Sequence, residues 1–179
     1  MNISKLNIQQ LIEQCVLQNE EAQLEVYNRY FKAMFNVSLR IVKNKIEAED
    51  IMQESFLTAF TKLKTLNNYE MFGSWLKRIV INLSLHTLKK SKKSEKIELD
   101  KVTFFLTEEV NEEQEDKDVA RLIEKLKQLK ESYRIVLTLK FIEGFDYEEI
   151  GTIMELSQGN VRTLISRAKE SLRKSIKVA

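Results

Sequence analysis

A chain with no proline and only four glycines in 179 residues lacks most of the means by which a backbone turns sharply. Proline presets the φ of tight turns, and glycine supplies the positive φ that hairpins and strand corners demand. A β-rich fold needs such residues at short intervals, whereas helices joined by a few polar turns do not. The expected fold class is therefore all-α. The apolar fraction, 43%, is that of a globular chain rather than a disordered one. The length admits one or two small domains.

The same inventory removes several function classes. A single cysteine, Cys15, permits no disulfide within the chain, which suits a reducing compartment. One Cys and one His (His86) do not make a structural zinc site of the Cys/His kind, nor a Ser/His/Asp or Cys/His catalytic set. No glycine-rich phosphate loop is present. No enzyme activity and no cofactor are expected. No uncharged apolar run approaches the roughly 18 residues of a membrane span. The opening MNISKLNIQQLIEQ has neither the basic nor the apolar region of a secretory signal, so the expectation is a cytoplasmic protein without membrane insertion.

Periodicity places the helices. Leu24, Tyr27, Phe31, Met34, Phe35, Leu39 and Val42 recur at three- and four-residue steps, so residues 6–43 are expected to form one helix. Asn44 and Lys45 interrupt the period. A second helix is expected over 46–66, with Ile51, Met52, Ser55, Phe56, Ala59, Phe60 and Leu63 on one side. Asn67 to Glu70 is a loop candidate, and a third helix follows over 71–90 with Phe72, Trp75, Leu76, Ile79, Val80, Leu83 and Leu88. From Ser91 to Asp118 the period fades into Glu-rich sequence, with short structured pieces expected at most near 102–106. A structureless stretch of this length separates domains more readily than it interrupts one. The expected organisation is a domain over 1–92, a linker over 93–118 and a domain over 119–179.

The last part reads as four short helices. Val119, Leu122, Ile123, Leu126 and Leu129 form an apolar stripe. Ser132 is the expected N-cap of the next helix, and Gly144 its end. Asp146 and Glu149 have capping-box spacing, and Ser157 can cap the last helix, in which Val161, Leu164, Ile165, Ala168 and Leu172 face inward. From Asp146 onward this is helix, short turn, helix and a basic tail, a helix-turn-helix pattern.

Charge is distributed unevenly. Lys+Arg is 29 and Asp+Glu 27, a net +2. Residues 75–96 carry seven basic and one acidic residue, a net +6; residues 97–118 carry two and nine, a net −7; residues 158–179 carry six and one, a net +5. Local basic blocks suit a polyanion, and equally suit solvated helix faces.

Three motifs carry a family resemblance. They are AED-x-x-QE-x-F over Ala48–Phe56, WL-x-x-I-x-x-N over Trp75–Asn82, and EG-x-x-YEEI over Glu143–Ile150. With Ser157–Lys169 after them, in this order, the chain resembles the extracytoplasmic-function (ECF) group of bacterial RNA polymerase sigma factors. The resemblance covers about residues 10–90 and 119–175. It implies two helical domains on a flexible acidic linker, core RNA polymerase and promoter DNA as partners, recognition of the −35 and −10 elements, and melting of the latter. Members are often held inactive by an anti-sigma factor, and no residue here identifies one.

Carried over by position, the resemblance implies that Asp50, Gln53 and Glu54 dock on core polymerase. It implies that Asn67, Asn68 and Tyr69 capture a −10 base, and that Asn82, His86, Lys89 and Lys90 hold −10 DNA. Gln158, Arg162, Thr163, Ser166 and Arg167 would read the −35 element, with Lys169, Arg173 and Lys174 nearer phosphates. The chemistry fits: amides and Arg bond base edges, and Tyr offers a stacking face. Each group also has a plain reading as a solvated helix face or polar turn, and Trp75 reads as core. Three positions depart from the family: Leu164 and Lys130, where it usually has Arg and Pro, and Glu155, where the turn often has Gly. His86 also stands where Asp is frequent. A two-domain regulator binding duplex DNA alone, or a helical adaptor binding only protein, is the competing reading.

Overall fold

The computed structural model describes residues 2–94 and 117–177, and the described residues contain eight α-helices and no strand. The chain divides into two compact units, Met1–Phe104 and Phe105–Ala179. Most of the expected acidic linker, with its short pieces near 102–106, lies outside the described residues. At its margins helix persists, to Ser94 on one side and from Lys117 on the other.

In the first unit α1 (Ile8–Val16) lies on α2 (Glu20–Val42), and α2, α3 (Lys45–Lys62) and α4 (Phe72–Ser94) pack against one another. The single helix expected over 6–43 is two helices. Gln18 adopts a left-handed φ of 61°, with Asn19 N donating to the Gln14 carbonyl at 3.1 Å and Gln18 N to the Cys15 carbonyl at 3.0 Å. This pair of bonds closes α1 as a Schellman turn. The Asn19 side chain then accepts from Ala22 N at 3.0 Å and opens α2. A glutamine in this conformation hid the break, because no glycine marked it. Gln18→Gly is expected to stabilise the unit by about 0.5–1 kcal/mol, read as a higher urea midpoint.

The break at Asn44 is the N-cap of α3, its Oδ1 accepting from Ile46 N and Glu47 N at 3.0 and 3.2 Å. Seven residues were expected on one side of α3. Ile51, Met52, Ser55, Phe56, Ala59 and Leu63 are buried, and Phe60 is half-buried. On α2 the buried residues are Ala22, Val26, Met34, Val37, Ser38, Ile41 and Val42, so Met34 and Val42 lie inward as expected, whereas Leu24 is 61% exposed, against expectation. Leu24 shares the aromatic period but lies beyond what α1, α3 and α4 cover. The aromatic residues form a flank, with Tyr27 against Phe31 at 5.1 Å and Phe56 at 4.8 Å. Trp75 sits at the core's edge, 6.0 Å from fully buried Phe72. Cys15 is buried, and burial pushes its thiol up to about 11, so the free cysteine is a packing residue rather than a reactive one.

In the second unit α5 (Lys117–Gln128), α6 (Glu131–Leu137) and α7 (Tyr147–Met154) all pack on α8 (Gln158–Lys177). The α5 stripe is only partly covered: Leu122 and Ile123 are exposed, while Leu126 and Leu129 are half-buried. Helix α6 begins two residues earlier than a Ser132 cap would place it. The cap is Lys130, whose carbonyl accepts from Tyr133 N and Arg134 N at 2.9 and 3.0 Å with no side-chain bond. The continuous burial of Arg134–Leu139 sets that start, over the local preference for serine. Lys130 has φ −49°, a value proline accepts. Lys130→Pro is expected to raise stability by about 0.4–1 kcal/mol through the unfolded chain, measurable in a denaturant titration. A π-helical turn, Thr138–Ile142, follows α6, and Gly144 at φ 82° ends it as expected.

Candidate nucleic-acid interface

The second unit carries a helix-turn-helix, α7–turn–α8. Asp146 Oδ1 accepts from Glu148 N and Glu149 N, both at 2.8 Å, and Glu149 Oε2 accepts from Asp146 N at 2.9 Å, completing the expected capping box. The turn is Glu155–Ser157. Glu155 adopts φ 58°, and Leu156 N donates to the Gly151 carbonyl at 2.9 Å. The permissive residue is displaced within this element: Gly151, not the turn position, is glycine. A Cβ there would lie 2.7 Å from the Leu156 carbonyl oxygen. Ser157 Oγ accepts from Asn160 N at 3.3 Å and starts α8.

On α8, Val161, Ile165 and Ala168 are buried, and Leu164 and Leu172 are half-buried, the inward set the period implies. Gln158, Arg162, Thr163, Ser166 and Arg167 are all exposed. Gln158, Arg162 and Ser166 form one ridge at four-residue steps, with Thr163 and Arg167 on its flank. Thr163 Oγ1 donates to the Gly159 carbonyl at 3.0 Å, so it offers a DNA edge its methyl group and a lone pair rather than a proton. Lys174 bonds Glu170 at 2.8 Å, which raises the lysine pKa and lowers that of the carboxylate. Its charge is thereby partly offset, whereas Arg167, Lys169 and Arg173 are exposed.

In the first unit, α3 ends in a 3₁₀ turn, Leu63–Thr65, and an extended Leu66 leads to a second one, Tyr69–Met71. The expected loop over 67–70 is thus partly ordered. Asn68 Oδ1 accepts from Glu70 N at 2.9 Å, so Asn68 has its amide donor left to offer a base. Asn67 is exposed and Tyr69 half-buried. On α4, Asn82, His86, Lys89 and Lys90 are all exposed and share one face. The opposite side carries buried Leu76, Val80 and Ile81, together with the buried, hydrogen-bonded pair Ser38–Ser84 at 3.0 Å.

Asp50, Gln53 and Glu54 are exposed on α3. Two further residues share their strip: Ile46, 72% exposed, and Leu57, 69% exposed. They stand eleven positions, three helical turns, apart and so bracket Asp50 and Gln53 on one line roughly 16 Å long. The sequence reading missed them, although their spacing relative to Ile51 and Phe56 already placed them off the core side. Among the described residues no group of three or more His, Cys, Asp or Glu could hold a metal, and no helix is long and apolar enough to cross a membrane.

Comparison with known proteins follows these two units. Residues 26–94 match the family model Sigma-70 region 2, and residues 120–172 match Sigma-70, region 4. The chain is 28% identical over 193 residues to the ECF RNA polymerase sigma factor SigW of Bacillus subtilis, covering 97% of this chain and 98% of that protein. It is 30% identical over 139 residues to the RNA polymerase sigma factor SigV of the same organism, covering 78% and 81%. Among solved structures, the sigma factor RpoE of Bartonella quintana, crystallised with the anti-sigma factor NepR, aligns with a TM-score of 0.62 at 20% identity, over 86% of this chain and 96% of that one. That likeness is one of fold.

Proposed function

Because the chain belongs to the extracytoplasmic-function group of bacterial RNA polymerase sigma factors, we propose a division of labour among its helices during promoter-specific initiation. Asp50, Gln53 and Glu54, with Ile46 and Leu57 at either end, dock on core RNA polymerase. Asn67, Asn68 and Tyr69 take an unstacked −10 base, and Asn82, His86, Lys89 and Lys90 hold the strand beside it. Gln158, Arg162, Thr163, Ser166 and Arg167 enter the major groove of the −35 element. The domains are 1–92 and 119–179, with 93–118 as the connector.

The observation that carries this reading is the α8 helix-turn-helix, whose buried and exposed residues separate as a groove-entering helix requires. Docking by α3 is supported by its mixed strip: carboxylates suit a basic partner surface, and exposed Ile46 and Leu57 are apolar anchors for protein contact. A DNA-binding face would carry the opposite charge. The first unit's DNA role is supported by the +6 block falling on α4.

In this reading the protein performs no chemistry of its own. It acts in the cytoplasm, where polymerase and promoter are, and an anti-sigma partner is a further proposal by family. The test is transcription by purified core polymerase on promoters it is found to drive in cells. Specific start-site initiation that depends on the added protein is expected. Specific duplex binding with no effect on initiation would establish a conventional regulator instead.

A further inference from the structure

Tyr147 is the first residue of α7, and its ring is half-buried. Arg162, on the exposed ridge of α8, places its guanidinium carbon 5.6 Å from the centroid of that ring. Lys140 Nζ lies 4.7 Å from the same centroid and donates to the Phe145 carbonyl at 3.2 Å. Among the described residues the Arg162 side chain has no carboxylate partner and no hydrogen bond. A side chain with four rotatable bonds is therefore held by one aromatic face.

That restraint matters for what an arginine on this ridge must do. Reading guanine requires two parallel N–H donors aimed at O6 and N7, and every rotamer to be frozen on binding weakens the contact. A ring beneath the guanidinium restricts those rotamers before DNA arrives without using any donor, because a cation–π contact engages the face of the group and leaves its N–H edge free. A carboxylate partner would have consumed that edge. We propose that Tyr147 is a positioning residue for −35 recognition: its ring pre-sets the Arg162 guanidinium for bidentate contact with a guanine. Lys140, tied to the Phe145 carbonyl, puts a second cation on the same ring, and an anionic DNA strand is the natural counter-charge for the pair.

This inference rests on the reading of α8 as the −35 recognition helix. The experiment uses the full chain assembled with core polymerase and a promoter library randomised across the −35 element. Arg162→Ala is expected to lose preference at one guanine by about tenfold or more. Tyr147→Leu is expected to lower preference for that same guanine about two- to fivefold, leaving the other positions unchanged. Tyr147→Phe keeps the aromatic face and is expected to stay within about twofold of the parent. The double variant should be no worse than Arg162→Ala alone. Should Tyr147→Leu lower the melting temperature, Tyr147→Met, a flexible filler without a π face, carries the same comparison. If Arg162→Ala is selective and ring loss is neutral, or weakens all sequences equally, the positioning role is wrong and the −35 reading stands. If neither Arg162→Ala nor Gln158→Ala changes any base preference, both fail.

Discussion

Gly151→Val is expected to unfold the C-terminal helix-turn-helix and abolish −35 binding. The Cβ of any larger residue at this position would lie 2.7 Å from the Leu156 carbonyl oxygen and 3.8 Å from Val161 Cγ2. The first is a backbone atom of the turn itself, and the Gly151 carbonyl accepts from Leu156 N at 2.9 Å. Moving that segment away breaks the bond that closes α7, and with it the crossing of α7 on α8. Valine adds two γ carbons beyond that clash. Overpacking commonly costs about 1–3 kcal/mol, and against backbone rather than a side-chain tip the upper end or more is expected. A unit of this size has little stability to spare. Far-UV circular dichroism of a urea titration should show part of the helical signal lost before the main transition. Gly151→Ala should give a smaller loss in the same direction. A Gly151→Val titration superimposable on the parent would falsify the close approach.

The second large effect is expected on α3. Asp50→Arg combined with Glu54→Arg should lower affinity for core polymerase by about a hundredfold or more, since reversing charges at an interface turns attraction into repulsion and costs several kcal/mol. Both side chains are exposed, so the helix and its core face should be unaffected, and the melting temperature should barely move. The defect should shrink as ionic strength rises and screens the repulsion. Leu57→Ser should weaken docking with little salt dependence, because an apolar anchor acts by burial. Core affinity by fluorescence titration at two salt concentrations measures both. Unchanged affinity in the double reversal would move the docking site off α3.

Several features were legible in advance because they depend on local chemistry. The Asp146–Glu149 capping box, the Ser157 start and the Gly144 stop each involve residues within a few positions of one another. The outward set on α8 was also readable, since Val161, Ile165 and Ala168 define a face that any globular unit must bury. Other features depended on what lies across the fold. Ser132 was the better cap by propensity, yet with Arg134–Leu139 buried α6 starts at Glu131 behind a Lys130 cap. Gln18 takes left-handed backbone that its side chain does not favour, so the residue type did not announce its turn. Asn68 looked like a free base reader, and its carbonyl oxygen is committed to capping the next 3₁₀ turn.

By itself the sequence determined an all-helical chain, the placement of its basic blocks, the motifs of its family and the face of each helix that periodicity makes apolar. It did so because helix formation, capping and amphipathicity are properties of neighbours along the chain. Tertiary structure decided which apolar residues are actually covered. Leu24, Ile46, Leu57, Leu122 and Ile123 are left outside because none of the described elements reaches over them. It also decided which distant side chains meet, as Tyr147 and Arg162 do where α7 crosses α8. Burial and such contacts are set by how helices cross, and a crossing is selected by packing over the whole unit rather than by any stretch of sequence within it.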